Sequence, residues 1–196
     1  IKFGQSLATR SDLIGDDVAR DLSRLQDKLP PFAFALAKAT IEDELQASII
    51  DSFASFDEVP VAAASIAQVH YAETHDGAEV AVKVLRPDIE VSFARDIDLF
   101  RWIAGVLDHH LPWIRRLRPV EVVELFAETV VVEMDMRMEA AAAAELAENF
   151  VGDPDFKVPA VDWQRTTRRV LTLERLRGHR PDDVEALAAE GHDPTE

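Results

Sequence analysis

The sequence predicts an α+β domain in which a helical stretch leads into a five-stranded antiparallel sheet with a long helix beside it. Three observations carry that prediction. Apolar residues recur at helical spacing through residues 1 to 56, turn to strand-like patterning from Phe56 to Leu85, and return to helical spacing after Arg86-Pro87-Asp88. Asp76-Gly77 sits between two of the strand-like runs, a strong short-range hairpin signal. Two more runs, Val158-Pro159-Ala160-Val161 and Arg169-Val170-Leu171-Thr172-Leu173-Glu174, follow Gly152-Asp153-Pro154 and read as the last two strands.

Each element has its own justification. Leu13, Ile14, Val18, Leu22 and Leu25 form an amphipathic stripe that Pro30-Pro31 interrupts. Thr40-Ile41-Glu42-Asp43 resembles a helix start, with Ile41, Leu45, Ile49 and Phe53 as one apolar stripe. Pro60 to His70 reads as strand, tight small-residue loop and strand, and the hairpin turn then leads to a strand ending Ala81-Val82-Lys83-Val84. A helix follows to about Leu111, with Val91, Ile97, Phe100, Ile103 and Leu107 as its buried face. Pro112 and Pro119 bracket a connector, after which one helix is expected from Val120 to Asn149.

Composition excludes several roles. The chain has 196 residues, 47% of them hydrophobic, and 21 basic residues against 37 acidic ones give a net charge of −16. Such a surface repels phosphates, which argues against nonspecific binding to nucleic acid or anionic membrane. The acidic excess fits a high-salt cytoplasm or an ordinary acidic soluble protein. Without cysteine there is no disulfide framework and no thiolate chemistry, in keeping with a cytosolic setting. No apolar run approaches the ~20 residues needed to span a bilayer, and no signal peptide is visible. The chain opens on Ile1 and stops at Glu196 as a helix ends, so a piece of a longer protein is expected.

Four groups of residues are candidates for chemistry. Lys83, flanked by Val82 and Val84 in a half-buried strand, needs a partner, because an unpaired buried ammonium is costly. The small-residue loop Ala62, Ala63, Ala64 and Ser65 keeps the backbone donors of a phosphate loop, with less freedom than glycines would give. Glu133, Asp135 and Glu139 lie in one helical run; Asp135 and Glu139 would share a face, and Glu133 would reach Arg137. Val130, Val131, Val132, Met134, Met136 and Met138 suggest that this helix is buried on several sides, so that its charges need partners. Lys2-Phe3-Gly4-Gln5 says little from physics alone. His109-His110 and the scattered histidines, His70 among them, lack metal-ligand spacing, and no metal site is predicted.

Together these motifs resemble the UbiB family of atypical kinase-like proteins, also called ABC1 or ADCK. Its K-x-G-Q motif matches Lys2, Gly4 and Gln5, and its alanine-rich loop matches Ala62 to His70, with Ala67 where glycine is usual. Its nucleotide-binding lysine matches Lys83, its E-x-D matches Glu133 and Asp135, and its following E-A matches Glu139 and Ala140. Leu173 to Gly178 resembles the hinge that edges an adenine pocket.

The resemblance implies a protein-kinase-like N-lobe, with an αC-type helix, an N-terminal helical extension and inserted helices. Its expected divisions are residues 1–56 for the K-x-G-Q extension, 57–178 for the lobe with an insertion at about 88–118, and 179–196 for the start of a linker or C-lobe. Lys83 should pair with Glu139 and touch phosphates. Ala62 to Ser65, Glu174 and Leu176 should border an ATP or ADP molecule. Lys2, Gly4 and Gln5 should gate the site, braced by Glu133 and Asp135. The family supports isoprenoid quinone biosynthesis through ATPase or kinase-like activity, near membrane lipid and partner enzymes. Cytoplasmic placement is therefore expected, with peripheral membrane contact in the intact parent.

The C-lobe residues that would hold Mg²⁺ have no counterpart here, and Asp182-Asp183 do not resemble them. This stretch alone is therefore expected to be inactive. The alternative is a nucleotide-gated scaffold or lipid-binding regulator. Phe32, Phe34, Leu36 and Phe53 are candidates for lipid contact, with packing on the lobe as the favoured outcome.

Overall fold

A computed structural model describes residues 30–179 together with 188 and 189. Lys2, Gly4, Gln5, the stripe from Leu13 to Leu25, and Asp182-Asp183 lie outside the described residues.

The described chain is α+β. Helix α1 (Phe34–Leu45) and the single turn α2 (Ile49–Ser52) precede strands β1 (Ser55–Phe56), β2 (Ala62–Ala63), β3 (Ala67–Glu73) and β4 (Glu79–Leu85). Helices α3 (Ile89–His110), α4 (Pro119–Glu133) and α5 (Met136–Asn149) follow, and β5 (Val170–Glu174) closes the sheet. All pairings are antiparallel, in the order β1-β3-β4-β5. β2 also pairs with β3, so β1 and β2 run along successive parts of one edge.

The β3–β4 hairpin turns where Asp76-Gly77 predicts. Gly77 takes φ 84°, a left-handed value that suits a residue without Cβ, and its N–H donates to the Thr74 carbonyl. Register then decides which side chains meet. One row across the sheet runs Ala62, Val69, Lys83, Leu171, and the next runs Ala63, Gln68, Val84, Val170. Alternation sends these rows to opposite faces.

On one face Val80, Val82, Val84, Val170 and Ala72 pack with Ile41, Ile49 and Phe53. The sequence stripe through Ile41, Leu45, Ile49 and Phe53 is thus correct, but the helix it suggests is not. Thr40 lies inside α1, its hydroxyl donating to the Leu36 carbonyl, and the chain breaks at Gln46, where φ is 52°. Ser48 then caps α2, accepting from the Asp51 N–H. Phe32 and Phe34 pack against this core and Phe53 is buried within it, whereas Leu36 is exposed. On the other face Ala67, Leu85 and Leu171 meet Met136 and Ala140 of α5.

Three other expectations are corrected. The run from Val120 to Asn149 is two helices, because Asp135 adopts extended angles (φ −114°, ψ 100°) and caps α5 with its carboxylate on the Arg137 N–H. Val158 to Val161 contributes an isolated bridge from Val161 to Leu173 rather than a strand; Pro159 has no N–H to offer a ladder. The buried stripe of α3 is Ile97 and Ala104, with Phe100 and Leu107 half-buried, while Val91 and Ile103 are exposed.

Helices α3 and α4 pack as an antiparallel pair around Ile97, Ala127, Val130 and Met134. Between them runs an apolar groove of about 590 Å³ walled by Phe100, Ile103, Leu107, Leu117 and Val122. No helix among the described residues is long and apolar enough to cross a membrane.

Candidate functional site

Lys83 sits in the middle of β4, on the face toward α5. Its Nζ donates to both carboxylate oxygens of Glu139, at 2.9 and 2.7 Å. The two residues are 56 positions apart, and two local devices bring them together. Strand alternation points Lys83 away from the valine core, and the Asp135 cap starts α5 so that Glu139 falls in its first turn. The Met136 N–H donates to the Arg168 carbonyl, tying the start of α5 to the chain entering β5. Met136 and Ala140 bury beside Leu171, and Glu139 between them in sequence is turned toward β4.

The pair borders a cleft of about 390 Å³ lined by Ile66, Lys83, Val132, Glu133, Asp135, Met138 and Glu139. The side chains are 28% and 48% exposed, so the pair faces water from one side. An ammonium carries three donors. Glu139 takes two, which leaves one for an anion entering the cleft. That donor set fits a phosphate oxygen. Among the described residues no group of three or more His, Cys, Asp or Glu is arranged to hold a metal ion.

Asp135 is engaged otherwise than its sequence suggests. Its carboxylate accepts from Arg137 Nε at 2.9 Å and Nη2 at 2.6 Å. The Arg137 guanidinium holds its pKa below the ordinary carboxylate value. Asp135 and Glu139 therefore do not share a helical face as two mid-helix residues, and Glu133 ends α4 while Arg137 lies in the first turn of α5. Nor is the region buried on several sides: Val131, Val132 and Met138 are exposed, while Val130, Met134 and Met136 are buried.

Ala62 and Ala63 form β2 rather than a free loop. Ala62 lies opposite Val69 in the row that contains Lys83. The Val61 and Ala64 N–H groups are used within this hairpin, on the Val69 and Ala67 carbonyls, and Ser65 is buried at its turn. Of this segment Ile66 is the residue that reaches the cleft.

Glu174 is placed elsewhere. It pairs in register with Val80, on the face opposite Lys83, and its carboxylate is held by Lys157 and by the Ala160 N–H. The Lys157 ammonium lowers its pKa. It borders a second cleft with Thr74, Asp76 and Glu79, so the structure does not bring its side chain to Lys83. Leu176 lies beyond β5 and is exposed.

Sequence reasoning missed Ile66, Val132 and Met138 as walls of the cleft, and missed what Gln68 and His70 do. His70 Nδ1–H donates to the Asp57 carbonyl at 2.8 Å, which leaves Nε2 to accept from the Gln68 amide at 2.9 Å. Both side chains are fully buried, and Gln68 Oε1 accepts the Phe32 N–H. Burial lowers the His70 pKa, so the ring is neutral with a fixed tautomer. Their alternation with Val69 marked them as core-facing positions.

A sheet that presents a strand lysine to a helix glutamate, beside a small-residue hairpin, is the arrangement of a kinase-like N-lobe. The chain belongs to the ABC1 atypical kinase-like domain family, which matches residues 24–196. A Xylella fastidiosa (strain 9a5c) protein named "Probable protein kinase UbiB" is 44% identical over 98% of this chain. Its counterpart of the same name in Pseudomonas paraeruginosa (strain DSM 24068 / PA7) is 46% identical over 95%. The chain spans 35% of the length of each. A solved structure described as the complex of Rv3197 with erythromycin, from Mycobacterium tuberculosis, aligns with a TM-score of 0.69 at 28% identity. That alignment covers 94% of this chain and 46% of the other.

Proposed function

We propose that this chain is the nucleotide-holding N-terminal part of an atypical kinase or ATPase that binds Mg-ATP or Mg-ADP and supports isoprenoid quinone biosynthesis. The observation that carries the reading is the Lys83–Glu139 pair beside the cleft. Glu139 holds the ammonium in place, and its remaining donor meets a phosphate. Ala62 to Ser65 shape the adjoining wall, and the end of β5 through Glu174 and Leu176 edges the base by its backbone rather than by the Glu174 carboxylate. Lys2, Gly4 and Gln5 gate the site, and Asp135 and Glu133 serve that gate from the α4–α5 junction. Mg²⁺, when bound, neutralises phosphate charge and takes its ligands from residues outside this chain. The intact parent acts in the cytoplasm, with membrane lipid and quinone-biosynthesis enzymes as its neighbours.

The test is ATP and ADP binding with Mg²⁺ to the full-length parent, wild type beside Lys83→Ala. Binding lost in the variant supports the site; a wild type that binds neither nucleotide overturns it.

A second reading, a nucleotide-gated scaffold or lipid-binding regulator, is favoured by the open apolar groove between α3 and α4. Trp102 and Trp113 are 67% and 69% exposed on the same two-helix unit. The two readings separate in the parent. Quinone synthesis that survives loss of its metal-binding aspartate and asparagine supports the scaffold. Since Rv3197 has been solved with erythromycin, that compound belongs in the same binding assay as a small-molecule control.

A further inference from the structure

Arg86 follows β4 directly, three residues after Lys83, and bonds both to the turn of the alanine-rich hairpin and to the segment entering α1. Its backbone N–H donates to the Ile66 carbonyl at 2.7 Å, so the main chain is fixed against the alanine-rich hairpin. Its guanidinium reaches further. Nη2 donates to the Ala64 carbonyl at the hairpin turn and to the Pro30 carbonyl, each at 3.2 Å. The guanidinium carbon lies 5.2 Å from the centre of the Phe32 ring. Nε is buried and, among the described residues, has no hydrogen-bond partner.

These details define a latch between the hairpin turn and the segment entering α1. One nitrogen is shared between two carbonyls, and both bonds lie at the long end of the ordinary N–H···O range. A buried donor left unmade is unfavourable, and among the described residues the side chain is held by the two carbonyls and the ring. If the Ala64 carbonyl moves, the guanidinium follows it or loses it, and the Pro30 contact changes with it. A separate bond, from the Phe32 N–H to Gln68 Oε1 at 3.0 Å, keeps the same segment against β3. The Pro30–Phe32 segment is therefore anchored at one point and latched at another.

We propose that Arg86 is a positioning residue that couples the alanine-rich hairpin beside Lys83 to the segment entering α1. A ligand that displaces the hairpin then also changes how the 30–32 segment is held. The ligand-dependent part of this proposal rests on the nucleotide reading above; the ligand-free part does not.

The experiment is hydrogen exchange read by mass spectrometry on the full-length parent, with and without MgADP, in wild type and Arg86→Gln. In wild type, MgADP changes exchange in residues 61–67 and in residues 32–37. In Arg86→Gln the change at 61–67 persists and that at 32–37 falls about fivefold or more, the lower end of ordinary coupling between sites. A variant whose 32–37 segment still responds like wild type overturns the proposal, as does a wild type that responds at 61–67 alone. A merely structural role would lower the melting temperature and leave the ligand-dependent change at 32–37 in place. Arg86→Lys is the second variant should Arg86→Gln fail to fold. It keeps the charge, but its ammonium ends one bond short of Nη2 and lacks the planar guanidinium that stacks on Phe32, so the same loss is expected. Should MgADP change nothing in wild type, the nucleotide reading fails and the ligand-free comparison decides. There, exchange rising together at both segments in the variant supports the coupling, and a rise at one segment alone refutes it.

Discussion

On one face of the sheet Val82, Val84 and Val170 are fully buried against α1 and α2; on the other, Lys83, between Val82 and Val84 in β4, is part-exposed and bonded to Glu139. A single strand thus serves two environments, because successive side chains point to opposite faces. The first face excludes water and carries much of the folding free energy. The second is closed at the Leu85 end by Met136 and Ala140, and opens into a cleft at Lys83. Damage to fold and damage to site are therefore separable at Lys83, where this face opens, and substitutions can be ranked by how far they separate them.

The largest loss of stability is expected from Phe53→Ala. Phe53 is 1% exposed and packs edge-on to Phe56 at 5.5 Å between ring centres. Its truncation should cost about 3–5 kcal/mol in denaturant unfolding, the usual range for a buried phenylalanine. Met138→Ala, at a cleft wall 47% exposed, should stay within about 0.5 kcal/mol, as surface changes usually do. Equal losses at the two sites would erase the distinction between the faces.

Next comes His70. His70→Phe keeps a ring between Phe34 and Phe56 but strands the Gln68 amide and the Asp57 carbonyl, so about 1–3 kcal/mol is expected from the unmet groups. The wild type adds a pH signature. Burial depresses the folded pKa below the ordinary histidine value of 6.5, so the unfolded chain takes up the proton first as pH falls. This contribution is fully present above the unfolded pKa and is lost as pH drops through 6.5 toward the folded value. Unfolding midpoints measured from pH 8 to 5 should show that slope in wild type and lose it in His70→Phe.

Asp135→Ala tests the junction between the two environments. It removes the α5 cap, for which about 1 kcal/mol is typical. Nucleotide affinity in the parent should fall by more than that, because Glu139 sits in the turn the cap organises. Asp135→Asn keeps an oxygen for the Arg137 N–H and should recover most of the stability. If it does not, the Arg137 ion pair rather than the cap holds the junction.

What the sequence made legible follows the same division. The hairpin was readable because Asp-Gly is a local signal, and the core stripe because period-2 and period-3.6 patterns are imposed by burial. The break at Asp135 was hidden: apolar residues continue from Val130 to Met138, and nothing local says that an aspartate among them caps a new helix. Thr40 misled in the opposite sense, since a threonine inside a helix can return its hydroxyl to the carbonyl four residues back. The meeting of Lys83 with Glu139 came from family resemblance, as no local pattern reports a contact across 56 residues. Glu174 shows the remaining gap. Its place in the chain suited a hinge, but parity from Lys83 through Leu171 turns its carboxylate to the other face.

A small effect on stability, comparable with that of Met138→Ala, is expected at the ion pair itself. Lys83→Met removes an ion pair whose members are 28% and 48% exposed, and such pairs contribute about 0–1 kcal/mol. The methionine keeps an unbranched stem of similar length, so unfolding should move little. Nucleotide binding in the parent should nevertheless disappear, since a thioether offers no donor to a phosphate. Glu139→Gln should fall between the two. It keeps the shape of the contact and still accepts from Lys83 through one oxygen, but it no longer neutralises the ammonium, so binding should weaken rather than vanish. A Lys83→Met protein that unfolds as wild type and binds nucleotide as wild type would remove the lysine from the site while leaving the fold as described. A variant that loses stability by several kcal/mol would show instead that this face, too, depends on its ion pair for folding.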